Sequence, residues 1–242
     1  MNGKMSLRTV QRRLKEKGLL CCIAARKPMV SQKNRRARLA WAAKHASWDA
    51  KKWCRVAFSD ESRFCRVNVT SNRLVYRKKQ EKYAPYATMQ TLQGGGGSVT
   101  VWGVITYKGA GPIKFLDGHL NGRKYIDLLD NVFVPYYENE MRIDSIFQQD
   151  NAPAHRSSEV QCYMEQKMST ILEWPAQSPD INPIENVWHM MKRELKNCRI
   201  SNLAELRQRI VQIWNNLSVS YIQKLIKSMP GKIQAIKRST KY

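Results

Sequence analysis

Apolar residues recur at helical spacing close to the start of the chain, at Leu7, Val10 and Leu14, with Ser6 placed as an N-cap and Gly18 as a stop. That pattern predicts a helix through Lys17. A second helix is expected after Ser31, where Ala37, Ala40, Trp41 and Ala43 give a modest apolar side. From Trp53 the period falls toward two, and residues 53–58, 63–69 and 73–76 read as three strands of a meander, their turns marked by Asp, Ser and Asn. A polar loop over 78–98 follows and ends in Gly94 to Gly97. Further strands are expected at 99–107, 113–116, 145–149 and 170–172, with helices at 125–141 and from about Arg156.

The last third is helical. Asn182 before Pro183 marks a helix start, and Ile184, Val187, Trp188, Met191 and Leu195 form its buried stripe. Asn202 with Glu205 forms a capping box ahead of Leu203, Leu206, Ile210, Ile213 and Leu217. A final amphipathic helix carries Ile222, Leu225, Ile226 and Met229 before Pro230-Gly231 interrupts it. Strands first, then alternating helices and strands, then helices, predict a mixed α/β domain with helices on both faces of the sheet.

Composition changes this picture in one direction. The 242 residues hold 42 Lys+Arg against 19 Asp+Glu, a net charge of +23, which seeks phosphate. Residues 1–55 carry sixteen basic residues against Glu16 and Asp49, and residues 220–242 carry six with no acid. On the first helix Arg8, Arg12, Arg13 and Lys15 form a basic face, as on the recognition helix of a helix-turn-helix. An ordinary amphipathic helix docked on the main domain fits equally. Lys33, Arg35, Arg36 and Arg38 make the next segment a DNA contact, a nuclear localisation signal, or both. Six cysteines without metal-ligand spacing read as reduced, buried thiols of a nuclear or cytosolic protein. Arg26-Lys27 directly after a short apolar run argues against a signal peptide, and no run is long enough to span a membrane. No Gly-Lys-Ser/Thr follows the glycine run, which argues against a nucleotide-binding P-loop.

Against this basic background three islands carry acids: Phe58 to Ser62 with Asp60, Gln149 to His155 with Asp150, and Ser178 to Asn186 with Glu185. Asp60 and Asp150 are expected at strand ends, and Glu185 in the first turn of a helix. Parallel neighbouring strands would set the first two side by side, with the helix laying the third across them. Each acid alone has a plainer reading: a turn residue, an Asx turn, or half of a capping box. Together they suit Mg²⁺, which takes oxygen ligands. Two such ions about 3.5–4 Å apart support phosphodiester cleavage.

The order of the islands, including Trp174 to Trp188 and the thirty-four residues between Asp150 and Glu185, resembles the catalytic domain of Tc/mariner superfamily transposases. The final Glu resembles the Sleeping Beauty-like branch, since mariner proper has Asp as its third acid. The resemblance covers nearly the whole chain, including Lys27-Pro28, the glycine run before Val101-Trp102-Gly103, and Thr240-Lys241-Tyr242. It implies an RNase H-like (retroviral integrase-like) domain over 51–242 whose clamp loop lies near 78–98. Residues 1–20 would be the remnant of a second helix-turn-helix unit and 21–50 a basic linker. Family members carry two such units, so the chain is expected to be N-terminally truncated.

The implied catalytic triad is Asp60, Asp150 and Glu185, holding two Mg²⁺ or Mn²⁺ ions. Asn151 and His155 share the second motif as supporting residues, not family metal ligands. The implied reaction is hydrolysis at transposon ends, then transfer of the 3′-hydroxyl into a TA target, in a homodimeric synaptic complex within the nucleus. The implied partner is double-stranded DNA, with no membrane. The competing reading is a truncated or domesticated DNA-binding protein without transposition activity.

Overall fold

The computed structural model describes residues 6–19, 30–66, 97–142, 144–168, 170–196, 198 and 200–238. The chain divides into two compact units, Met1–Ser31 and Gln32–Tyr242. In the first, helix α1 (Leu7–Glu16) starts where the Ser6 side chain accepts from the Thr9 N–H. It ends in a Schellman motif: Gly18 takes φ 74°, its N–H donates to Lys15 O, and the Leu19 N–H reaches back to Leu14 O. No residue of α1 is buried, and Leu7, Val10 and Leu14 stay exposed beside its arginines.

The second unit is built on a five-stranded sheet in the order β3-β2-β1-β4-β5. Strands β1 (Val56–Cys65), β2 (Ser98–Thr106) and β3 (Gly109–Leu116) pair antiparallel, while β4 (Ile146–Gln148) and β5 (Ile171–Leu172) add in parallel. The expected parallel pairing of the first strand with the strand before Asp150 is present: Phe58 lies opposite Gln148.

The meander is not. Residues 56–65 form one continuous strand, so Asp60 lies in its middle and closes nothing. Asp60, Glu61 and Ser62 looked like turn formers because they are polar. They tolerate a strand interior because side chains from distant elements meet both of its faces. The expected strand at 73–76 and most of the expected clamp loop fall outside the described residues. Residue 53, expected to open a strand, instead closes a short helix α3 (Ala50–Trp53) capped by Asp49.

Apolar cores cover both sheet faces. On one, Val56, Phe58 and Phe64 of β1 pack with Trp41 and Ala42 of α2 (Gln32–Lys44). The same core takes in buried residues of α7 (Pro183–Leu195), α8 (Leu203–Asn215), α9 (Val219–Lys227) and α10 (Met229–Arg238). On the other, Ala57, Trp102 and Phe147 pack with Tyr125, Phe133 and Val160. Those come from α4 (Gly122–Leu128), the turn after it, and α6 (Ser158–Lys167).

The helix expected over 125–141 is longer and broken: α4, a π-helical turn Leu129–Phe133, then α5 (Val134–Glu140). Pro135 has no N–H to offer the carbonyl four residues back, and the wider turn absorbs that mismatch. Likewise the break between α9 and α10 falls at Ser228, so Pro230 sits in the first turn of α10, where its missing N–H costs nothing. The four described cysteines are free, as expected, but none is buried: Cys65 and Cys162 are exposed, Cys54 and Cys198 half-buried. Each lies toward the end of its element or beyond the core stripe.

Candidate active site

Asp60, Asp150 and Glu185 line one cleft of about 410 Å³, walled on one side by the loop from Trp174 to Pro179. Each acid arrives by a different route. Asp60 is fixed by the β1 ladder, opposite Gly103 of β2. Asp150 lies just past β4, in line with Asp60 because the parallel register places Phe58 opposite Gln148. Glu185 stands in the first turn of α7, whose N-cap is Asn182.

Asn182 does two things at once. Its Oδ1 accepts from the Ile184 N–H at 3.4 Å, capping the helix, and its Nδ2 donates to Ser59 O at 3.2 Å, fastening the helix start to β1. One turn further, the Trp188 indole N–H donates to Asp60 Oδ2 at 3.1 Å. Trp188 is fully buried, stacked on Trp214 at 5.1 Å and edge-on to Phe64. It fits there because Gly103 has no side chain: a Cβ would come within 2.8 Å of the Trp188 ring and 3.0 Å of Trp214.

The opposite face of β1 presents Glu61. Its Oε1 lies 3.4 Å from His155 Nε2, close enough to attract but too poorly aligned for a hydrogen bond, and both atoms are otherwise unpaired. The other ring nitrogen, Nδ1, is 2.8 Å from Asp150 Oδ1. Asn151 spends its amide on Trp174 O at 2.5 Å, closing the cleft wall rather than facing the acids. Glu61, Asp150 and His155 form a tight cluster, their ligand atoms within 4.8 Å of one another.

The electrostatics follow from the crowding of carboxylates. Asp60 is pushed well above the usual carboxylate range, first by burial, then by the charges of Glu185, Glu61 and Asp150. Glu185 is also raised, by burial foremost and by Asp150, with Lys192 opposing. Asp150 differs: burial raises it, but the hydrogen bonds from His155 and the Ala152 N–H outweigh that and hold it low. For His155, burial pulls down, while the Asp150 hydrogen bond and the nearby carboxylates of Glu61 and Asp150 lift it to about 9. Three carboxylates that repel across one cleft, offering only hard oxygens, fit a divalent cation such as Mg²⁺ or Mn²⁺.

The family assignment rests on sequence as well as shape. A family model described as DDE superfamily endonuclease matches residues 55–207, and one described as Transposase matches residues 2–47. The Tcb1 transposase of Caenorhabditis briggsae is 37% identical over 231 residues, covering 96% of this chain and 85% of that protein. The chain belongs to the Tc1-type family of DDE transposases. The Tc1 transposase of Caenorhabditis elegans is 36% identical over the same share. Among solved structures, the Mos1 transposase paired-end complex has a TM-score of 0.83 at 18% identity, over 96% of this chain and 70% of that one. At that identity the likeness establishes the fold, an RNase H-like domain, as expected from the three islands.

The transposase uses its basic residues in two ways. Arg8, Arg12, Arg13 and Lys15 of α1 are exposed, as are Lys33, Arg35 and Arg36 on α2. Arg38, grouped with them in the sequence, is instead turned inward. Its guanidinium binds both oxygens of Asp180, at 2.7 and 2.6 Å, and also donates to Gln177 O and Ser178 Oγ. With Asn34, which donates to Gln177 Oε1, it clasps the turn where Gln177 adopts φ 52°. Sequence reasoning passed over Glu61, Gly103 and the donor role of Trp188. A signal for Glu61 existed, since it is the carboxylate next to Asp60 on an alternating run.

Proposed function

We propose that this chain is the catalytic part of a cut-and-paste DNA transposase in which Asp60, Asp150 and Glu185 hold two Mg²⁺ or Mn²⁺ ions. The observation that carries this reading is their convergence on one cleft from a strand, a loop and a helix. When bound, the cations supply an activated oxygen nucleophile and neutralise the charge that develops on the phosphodiester.

The chain's own residues set the geometry. Trp188 holds Asp60, Asn182 locks α7 to β1, and the Trp174 to Pro179 loop narrows the approach to the cleft. Arg8, Arg12, Arg13, Lys15, Lys33, Arg35 and Arg36 supply phosphate contacts, so binding weakens steeply with salt. Arg38 acts on the cleft wall and not on DNA. Solved Mos1 structures of the same fold include a paired-end complex with a transposon end and a strand transfer complex. They support two transposon ends held by paired subunits, with the cleaved end joined to a second DNA. A TA target and work in the nucleus follow from the family resemblance.

The test is cleavage and strand transfer by the purified chain on labelled transposon-end DNA with Mg²⁺ or Mn²⁺. Asp60→Ala, Asp150→Ala and Glu185→Ala should each abolish product while DNA retention persists. Continued cleavage by the three variants would overturn the proposal.

A further inference from the structure

The geometry points to His155 as the positioning residue for Asp150, an inference that rests on the acidic cleft being a cation site. The three acids are not equally supported by backbone. Asp60 is held within the β1–β2 ladder and Glu185 by a helix. Asp150 stands beyond the end of β4, in a stretch outside any strand or helix. Its carboxylate is therefore free to turn unless hydrogen bonds stop it.

Two donors do so, and both meet the same oxygen. The Ala152 N–H and His155 Nδ1 each lie 2.8 Å from Oδ1, which leaves Oδ2 for a cation. Because a carboxylate only accepts, Nδ1 carries the proton. The ring is itself held on its other sides. The Tyr125 ring lies 4.0 Å from it, centroid to centroid, and the Tyr125 hydroxyl donates to Gln149 Oε1 at 2.6 Å. Glu61 faces Nε2 from β1. Gly122 permits the approach of α4, since a Cβ there would meet Ser157 Oγ at 2.5 Å. His155 is 3% exposed, so water does not compete for its nitrogens.

Residues behind a ligand that fix its orientation are worth about 10–100-fold in metal affinity. Two amides separate this role from packing, because Asn places its nitrogen near the position of Nδ1 and Gln near that of Nε2. Mn²⁺ alone is titrated calorimetrically into the full chain, with melting temperatures recorded in chelator. His155→Gln should weaken Mn²⁺ binding about 10–100-fold, while His155→Asn stays close to the parent protein. Full affinity in His155→Gln, or equal losses in the two variants, would overturn the role. Asp150→Ala separates the layers: if it binds Mn²⁺ like the parent, the cation-site reading fails. If it loses Mn²⁺ while His155→Gln does not, the positioning role alone fails. The parent protein offers a check independent of variant folding. The buried Nδ1–H should give a slowly exchanging low-field proton in ¹⁵N-edited NMR; its absence overturns the inference.

Discussion

On one face of β1 the Asp60 carboxylate takes a hydrogen bond from the indole of Trp188; on the other, Glu61 faces the imidazole of His155. Two adjacent acids thus each meet a ring nitrogen from a distant element. The difference lies in what the ring does next. Indole has a single N–H and ends its reach at Asp60, packed among Phe64 and Trp214. Imidazole has two nitrogens and passes on to Asp150. One face holds its acid by packing, the other faces a relay that ends on Asp150, and of the two adjacent acids only Asp60 lines the cleft.

The largest test of this asymmetry is Asp60→Asn against Glu61→Gln in strand cleavage. A cation ligand supplies several kcal/mol of charge stabilisation, so Asp60→Asn should lose about 10³-fold or more at about 1.4 kcal/mol per tenfold. Glu61→Gln should lose no more than about 100-fold. Equal losses would break the distinction. Next in size, Gly103→Ala drives a methyl into the two indole rings and should cost about 1–3 kcal/mol in denaturant unfolding. Its quenched or shifted tryptophan fluorescence would report displacement of Trp188. An unchanged midpoint would show that the packed face is slack.

Asn182→Ala should cost about 1 kcal/mol through the lost cap. Asn182→Asp keeps the cap but not the donor to Ser59 O. It should therefore retain most of the stability yet still lower the cleavage rate. The smallest effect concerns the clasp on the cleft wall. Burial raises Asp180, but the hydrogen bond and charge of Arg38 outweigh it, leaving its carboxyl below the usual value. A depressed carboxyl stabilises the fold above its unfolded pKa of about 3.9, and that stability is lost as pH falls through the lower folded value. Asp180 is 58% exposed, so Asp180→Asn should cost under about 1 kcal/mol at neutral pH. The cost should vanish in acid, as melting temperatures across pH would record.

Much of the fold was legible where the determinants are local. Asn182, Pro183 and the stripe from Ile184 to Leu195 specify α7 without outside help, and it spans Pro183–Leu195. The parallel pairing of the first strand with the one before Asp150 also followed from their order, although Asp60 lies inside its strand rather than at its end. What escaped depended on remote partners. Asp60-Glu61-Ser62 read as a turn because nothing nearby announces Trp188, Asn182 or His155. Arg38 is indistinguishable from Arg35 or Arg36 until Asp180, far along the chain, comes to meet it. The π-helical turn arises from one proline in a helix otherwise continuous in pattern. That three acids meet was readable from order and spacing, and they do share one cleft. The support behind it was not, because Gly103 acts by what it lacks.

The docking of α7 on β1 has a meaning for the life of the polypeptide. Asp60 and Asp150 are 90 residues apart along the chain, and Glu185 comes 35 residues later, with Trp188 and Asn182 arriving on the same helix. Long-range contacts of this kind form late, because closing the intervening chain must come first. A copy still being synthesised holds two acids but neither the third nor the clamp that steadies Asp60. On the proposed reading of the three acids, the cation site is therefore complete only once the whole domain has folded, and a stalled or prematurely ended product lacks it.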